Sequence, residues 1–338
     1  MSACICQPVL PCTRRGSVRP ASAFLTSTSG PSLFAKPQRL ASLKAADGAN
    51  AAHRASKVIV ASTAGPLAPS SLSSSAECSQ PEQTYDKLIA LGALKANTPL
   101  PRAILLSLLA GAFISFGAMM VLAVGASCPG LASSNPGLQR LIQGAFGLPM
   151  GLILVVLTGA ELFTGNTMLM PLAVLEGRST IKQLLTNWFV SFFGNLAGSI
   201  AVVYLVGTSG LFASLSAPAS VAATKTSLTF TQAFTRGIIA NWLVCLGVWM
   251  TAAASSLPGK ALGAWFPVTA FSSAGGEHSV ANMFSIPMGI YLAGDVSWKS
   301  FFGANLLPVV LGNIVSGVLF CALAFHWCYG LRHRSATA

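Results

Sequence analysis

Charged residues are scarce in this sequence. They make up 8% of its 338 residues, and only eight are acidic, whereas 53% of the residues are hydrophobic. This composition indicates a membrane protein with one membrane domain and a tail. The net charge of +12 gives no indication of nucleic-acid binding, because most of it lies in the first sixty residues, where Asp47 is the only acid.

Paired cysteines and metal-ligand clusters are also missing. The eight cysteines include no CxxC pair, which excludes a disulfide framework and a redox centre of that type. Cys245 and Cys321 fall in apolar stretches, where a thiol behaves as a small hydrophobic group. His326 and Cys328 are too isolated to predict a metal site. We therefore expect neither a metal nor a cofactor.

The N-terminal stretch lacks the compact apolar core of a secretory signal. Residues 1–61 are rich in Ser, Ala, Arg and Pro, which is typical of a transit peptide. The Ser and Pro content favours the chloroplast over the mitochondrion, with processing near Ile59-Val60-Ala61. The alternative is an ordinary basic tail. Residues 62–83 continue this composition and predict a flexible linker.

Long apolar stretches predict the fold class, an all-α membrane protein. A spanning helix needs about 20 apolar residues. Four stretches qualify without interruption: Ala103–Gly125, Asn187–Val206, Gly237–Ala254 and Gly303–Tyr329. Two longer ones, Leu141–Leu175 and Ala261–Ala293, each fit two half helices joined by an unwound loop. We predict six spans over residues 84–330, broken in the second and fifth, and a tail over residues 331–338. Residues 81–97 predict a short amphipathic helix at the membrane surface.

The two broken stretches contain the same sequence motif. Gly159-Ala-Glu161-Leu-Phe-Thr-Gly165-Asn166 recurs as Gly275-Gly-Glu277-His-Ser-Val-Ala-Asn282. The copies lie three spans apart, so they run in opposite directions, and the halves form an inverted repeat typical of transporters and channels. Gly159, Gly165 and Gly275 allow unwound backbone at the breaks. We expect the second half helices to begin near Asn166 and Asn282, with free amides that suit an anion.

Basic residues outside the leader are distributed unevenly. The side with the N-terminal flank, the 2–3 and 4–5 loops and the C-terminus holds the larger set: Lys87, Lys95, Arg102, Arg178, Lys182, Lys260, Arg332 and Arg334. The other side has Arg140, Lys225, Arg236 and Lys299. The positive-inside rule places both mature termini on the more positive side, which is the stroma in a chloroplast inner envelope.

Three kinds of polar residue are candidates for function. His278 is predicted to lie at membrane depth. A histidine there either moves protons or is a core residue whose ring nitrogens are hydrogen-bonded within the protein. Glu161 and Glu277 are predicted to accept backbone N–H groups of the unwound loops, with pore lining as the alternative for both. Lys225 falls in a Ser- and Thr-rich loop over residues 208–231 with no acid near it in sequence, so it is a solvated lysine or an attractor of anions.

Three motifs give the chain a family resemblance over residues 81–330. They are Leu157-Thr-Gly-Ala-Glu-Leu-Phe-Thr-Gly-Asn166, Gly237-Ile-Ile-Ala-Asn-Trp-Leu-Val-Cys245, and Glu277-His-Ser-Val-Ala-Asn-Met-Phe284 followed by Ile286-Pro-Met-Gly-Ile290. In this order they resemble the formate/nitrite transporter family. The leader adds a resemblance to the chloroplast-envelope branch, which includes nitrite carriers and a bicarbonate-related relative.

The resemblance implies an aquaporin-like fold with six spans, a homopentamer and no enzymatic activity. It implies these pathway residues: His278 and Thr164 at the centre with Asn241 and Asn313 near them; Leu148, Leu152 and Phe271 in one constriction; Leu162, Phe163 and Val244 in the other; Lys225 in a vestibule. Leu148 stands where many bacterial members have Phe, and Gly276 where a bulky apolar residue is common, and both departures bear on conduction rate and selectivity.

The sequence thus predicts an anion channel or transporter that passes nitrite across the inner chloroplast envelope, with proton sharing at His278. Bicarbonate or formate is the alternative cargo. From another class, a membrane-embedded enzyme using His278 and Glu277 is the alternative activity, although no second catalytic cluster or cofactor motif accompanies that pair.

Overall fold

The computed structural model of this protein describes residues 77–330. The predicted transit peptide, its processing site and the C-terminal tail lie outside the described residues. The first helix begins at Pro81, so residues 81–83 belong to a helix rather than to the predicted linker.

Helices account for nearly all of the described chain. The first half contains α1 (Pro81–Ala96), α2 (Leu100–Ala123), α3 (Pro129–Ser134), α4 (Pro136–Ala145), α5 (Leu148–Thr158), α6 (Phe163–Leu175) and α7 (Ile181–Ser209). The second half contains α8 (Ala217–Thr226), α9 (Phe230–Ala253), α10 (Leu257–Ala274), α11 (Ser279–Ala293) and a last span over residues 300–330. That span consists of α12 (Leu307–Val315) and the π-helical segments Ser300–Leu306, Ser316–Leu323 and His326–Gly330.

Within residues 77–330, five helical segments are long and apolar enough to cross a membrane: Leu100–Ser127, Pro136–Thr158, Ile181–Ser209, Phe230–Ala253 and Ser300–Gly330. The remaining crossing is assembled from α10 and the short apolar helix α11, and the second crossing continues into the short helix α6. The prediction of six spans with breaks in the second and fifth is confirmed.

Left-handed glycines end the helix before each break. Gly159 follows α5 with φ 73°, and Gly275 follows α10 with φ 80°. A residue with a Cβ is strained at such angles. Gly165 is different, because it lies inside the first turn of α6 and its φ is not positive. The second half helices begin at Phe163 and Ser279, one turn earlier than predicted.

The predicted amphipathic helix forms as α1, but it is more than a surface element. Its Tyr85 and Leu88 are fully buried in the main hydrophobic core. The predicted loop over residues 208–231 also contains a helix, α8, in which Ala222 is fully buried. Each half of the repeat therefore starts with a short helix packed beside its own break.

Candidate ion pathway

The first break is held by a buried carboxylate. Glu161 Oε1 pairs with Nζ of Lys95 at 3.1 Å, and its Oε2 accepts from the amides of Asn166 at 2.8 Å and Asn187 at 3.3 Å. The Asn166 amide also donates to Oδ1 of Asn187 at 2.9 Å. Because a buried charge is stable only when it is paired and hydrogen-bonded, this cluster fixes α1, the break and α7 to one another.

The second break repeats the same arrangement. Glu277 Oε1 pairs with Nζ of Lys225 at 2.9 Å, and its Oε2 accepts from Asn282 at 2.6 Å and from Asn305 at 3.1 Å. The expectation that Lys225 is an unpaired lysine in a loop is wrong. It lies in the last turn of α8, and an acid distant in sequence neutralises it.

Asparagine side chains hold the backbone of both breaks. Asn195 Oδ1 accepts from the N–H of Phe163 at 2.9 Å, and its amide donates to the carbonyl of Glu161 at 2.9 Å. Asn313 accepts from the N–H of Ser279 at 3.0 Å and donates to the carbonyl of Glu277 at 3.3 Å. The first amide of each half helix is thus occupied, which corrects the expectation of free amides there. The glutamate carboxylates bind side-chain amides and a lysine rather than the predicted backbone N–H groups.

His278 and Thr164 bring the two breaks into contact. His278 Nδ1 accepts from the N–H of Ala281 at 3.1 Å, and Nε2 lies 2.9 Å from Thr164 Oγ1. Because a ring nitrogen that accepts a backbone hydrogen bond carries no proton, the ring proton of neutral His278 is on Nε2 and points to the threonine. The Phe271 ring stacks on the imidazole with centroids 6.0 Å apart. The pair is almost fully buried.

Three adjoining cavities form a pathway through the described residues. The Lys95 vestibule, about 590 Å³, has Lys87, Lys95 and Lys260 in its wall. The Lys225 vestibule, about 350 Å³, has Arg140, Lys225 and Arg236. Between them lies a central chamber of about 10 Å³, which holds no more than about one water molecule. It shares Leu152 and Leu162 with the first vestibule, and Leu148 and His278 with the second.

The central chamber contains most of the predicted constriction residues. Its wall is Ile114, Leu148, Leu152, Leu162, Val244, Val268, Phe271 and His278. Thr164, predicted at the centre, lines none of the three cavities and reaches the site through the contact of its Oγ1 with His278 Nε2. Three further predicted pathway residues lie elsewhere. Phe163 packs edge-on against Trp188 and Phe192. Asn313 holds the break backbone, and Asn241 donates to Thr167 Oγ1 at 2.9 Å and to the Asn313 carbonyl at 2.7 Å. None of the three lines the chamber or the vestibules described above.

Sequence reasoning missed three residues of the site, Lys95, Ile114 and Val268. Lys95, considered only as a charge on one membrane side, is the counterpart of Lys225. The signal was available, because each lysine is followed closely by the first residues of a span. Ile114 has no sequence signal that separates it from other apolar residues of α2. The predicted grouping of basic residues by membrane side agrees with the two vestibules. Lys87, Lys95 and Lys260 line one of them, and Arg140, Lys225 and Arg236 line the other.

Comparison with known proteins identifies this arrangement. The profile of the family described as formate/nitrite transporter matches residues 82–327. The chain belongs to the formate/nitrite transporter family. A probable formate transporter of Methanothermobacter thermautotrophicus is 44% identical over 269 residues, which cover 74% of this chain and 96% of that protein.

Solved structures of the family agree with the fold. A structure described as an FNT family ion channel matches with a TM-score of 0.64 and 33% identity, over 73% of this chain and 98% of that one. A pentameric formate channel with formate bound matches with a TM-score of 0.61 and 34% identity, over 68% and 97% of the two chains. This family member is therefore a multi-pass membrane protein whose relatives are transporters and channels.

Proposed function

We propose that this chain is a channel for a small monovalent anion, with nitrite as its cargo, in the inner envelope of the chloroplast. The observation that carries the proposal is the position of His278. Its side chain lines both the apolar central chamber and the Lys225 vestibule. An anion drawn towards the cationic vestibules reaches the one ionisable side chain among the chamber residues described above.

The apolar chamber sets the chemical problem. Moving an unpaired anion into such surroundings costs far more than moving its neutral acid. In the proposed mechanism the anion replaces Thr164 as the acceptor of the Nε2–H of His278 and shares that proton. Complete transfer to the anion requires a second proton on Nδ1, which breaks the 3.1 Å bond from Ala281. Proton supply from the vestibule thereby couples flux to pH, and flux rises as pH falls.

Formate is the second candidate cargo. It is supported by the names of the relatives, a probable formate transporter and a formate-bound channel. The pentameric state in the name of the solved relative likewise supports a homopentamer here. Nitrite and formate are both small monovalent anions of weak acids, so each suits the proposed proton sharing at His278.

Competition in proteoliposomes tests the cargo. The purified chain, without added cofactor, takes up labelled nitrite while formate or bicarbonate competes. Nitrite uptake that formate inhibits only at higher concentration supports the proposal. Formate uptake that exceeds nitrite uptake would make formate the cargo, and no flux of any of the three would overturn the channel function.

Localisation has its own test. A fluorescent reporter fused after residue 65 should enter chloroplasts, and a cytosolic reporter would contradict the predicted leader. A C-terminal tag on the full chain should resist protease added to intact chloroplasts, because the mature termini are proposed to face the stroma. Digestion of the tag in intact organelles would reverse that orientation.

A further inference from the structure

A fourth cavity lies beside the pathway rather than in it. Its volume is about 340 Å³, and it lies where the end of α1, the start of α2 and the start of α7 meet. Its lining residues are Lys95, Ala96, Thr98, Leu100, Ala103, Lys182, Gln183, Thr186, Asn187 and Val190. The cavity is thus at the membrane end on the side of the Lys95 vestibule.

Two lysines give this side cavity a positive charge. Lys182 has no hydrogen-bond or ion-pair partner within residues 77–330, and Lys95 has Glu161 as its only acidic partner there. The helices α2 and α7 both begin at the cavity, and the N-terminus of a helix favours an anion. The end of α1 also meets the cavity with the opposite end of a helix dipole, so the two lysine charges are what select for a negatively charged ligand.

The inverted repeat supplies an internal control. Alignment through Asn187 and Asn305 places Ser300 at the position of Lys182 and Phe301 at that of Gln183, and it places Ala304 at that of Thr186. The Phe301 side chain is fully buried. The fold therefore accepts an apolar residue at these positions. Gln183 has a structural role in the first half, because it caps α7 together with Thr180 and donates to the carbonyl of Ala96 at 3.2 Å. Packing gives no such role to Lys182.

We propose that the side cavity binds the headgroup of an anionic lipid. Basic pockets at the ends of membrane helices suit such headgroups. Leu100, Ala103 and Val190 form an apolar part of the wall. On α7, which contributes Val190, Leu185 and Phe189 are 57% and 65% exposed. These surfaces suit acyl chains, which a free phosphate ion lacks. This site does not depend on which anion the pathway conducts.

A lipid bound here has a route to the first break. Lys95 lines both the side cavity and the Lys95 vestibule, and Asn187 in the cavity wall contacts the carboxylate of Glu161. A headgroup beside Lys95 competes with Glu161 for its ammonium group. Lipid occupancy therefore weakens the 3.1 Å ion pair that holds α1 against the break.

Lipid-dependent thermal unfolding of the purified full chain tests the site. Phosphatidylglycerol is titrated into the detergent-solubilised protein, with phosphatidylcholine of the same chain length and inorganic phosphate in parallel. Phosphatidylglycerol alone should raise the unfolding temperature. Lys182→Gln should weaken its apparent affinity about fivefold, as expected for one lysine near a charged headgroup, and Lys182→Arg should retain it.

Two further variants make the result specific. Lys299→Gln removes an exposed lysine next to the position equivalent to Lys182, and it should leave the titration unchanged. Thr186→Leu places a larger apolar side chain in the cavity and should also weaken lipid binding. The proposal would be overturned if phosphatidylcholine or inorganic phosphate stabilised the protein as much as phosphatidylglycerol does. It would also be overturned if phosphatidylglycerol stabilised Lys182→Gln and the wild type equally.

Discussion

In the first break Leu162 and Thr164 occupy the positions that His278 and Val280 occupy in the second. Around them the two breaks are built alike, since each has a buried glutamate, a lysine from a short helix and two asparagine amides. The repeated residues hold the loops in place. The unrepeated ones meet at the centre, where Nε2 of His278 faces Thr164. The supporting residues are thus repeated in both halves, whereas the two residues that meet at the centre, where proton sharing is proposed, are not.

Replacing His278 should have the largest effect on transport. His278→Phe keeps a ring in the chamber but removes the shared proton, so flux should be nearly abolished while the oligomer still assembles. His278→Asn keeps a hydrogen bond without proton exchange, so its residual flux should no longer depend on pH. Proteoliposome flux from about pH 5 to 8, the usual range of histidine titration, measures both.

Thr164→Val sharpens this comparison, because it gives the first break the residue of the second. The Nε2–H then has no acceptor until an anion arrives, and flux should fall less than in His278→Phe. A stable His278→Asn oligomer with the pH profile of the wild type would refute proton sharing and leave His278 as a packing residue.

Removing a glutamate should have the largest effect on stability. Glu161→Leu and Glu277→Leu each leave a lysine and two asparagines without their common acceptor. The loss of one partner of a buried ion pair costs about 3–5 kcal/mol. Because the clusters are equivalent, thermal unfolding should show similar losses. A large loss in only one variant would contradict the view that both glutamates serve the same support.

The sequence was most informative where the repeat was visible. The duplicated Gly–Glu phrase was enough to predict two broken spans and an inverted topology, because a carboxylate at membrane depth is costly unless it binds a partner inside the protein. The repeat continues into the next span, where Asn187 and Asn195 match Asn305 and Asn313 at the same spacing. The first residues of α6 and α11 were missed, since the start of the first helical turn depends on which side chain binds the first amide, here a distant asparagine.

Contacts between distant segments were not predictable. Lys225 and Glu277 have no local sequence pattern that joins them, so Lys225 was expected to be free. Phe163 illustrates a second limit. It adjoins Leu162 and Thr164 in sequence, yet its ring lies among Trp188 and Phe192 because successive residues at a helix start point in different directions.

Lysine variants should have a moderate effect. Lys225→Ala removes the cation of one vestibule and also leaves Glu277 unpaired. Uptake at low substrate should fall on the order of tenfold, and high salt should reduce the difference by screening. Unlike a lysine in a loop, this one also contributes stability, so the unfolding temperature should fall.

Lys95→Ala tests whether the two mouths are equivalent. Its effect should equal that of Lys225→Ala when substrate is added from the opposite side of oriented vesicles. Lys225→Arg, which keeps the charge and the pairing with Glu277, is the matched control and should behave nearly as the wild type. If Lys225→Ala takes up substrate at the wild-type rate at low salt, Lys225 has no role in anion capture.

The smallest effect concerns a contact of α1 that has no equivalent in α8. The Tyr85 hydroxyl donates to Glu176 Oε1 at 2.6 Å and lies 3.1 Å from His326 Nδ1, which ties α1 to the last span. Tyr85→Phe should lower the free energy of unfolding by about 1.5–3 kcal/mol, as for a hydrogen bond to a charged group.

The Tyr85 contact should also depend on pH. Burial of the hydroxyl, and secondly its hydrogen bond to Glu176, raise the pKa of Tyr85 above its ordinary value of 10.0. A raised pKa in the folded state means that this stabilisation is complete below about pH 10 and is lost as pH rises further. Thermal unfolding between pH 7 and 11 should therefore show the wild type and Tyr85→Phe converging above pH 10, and a constant difference would show that the contact does not depend on the phenol proton.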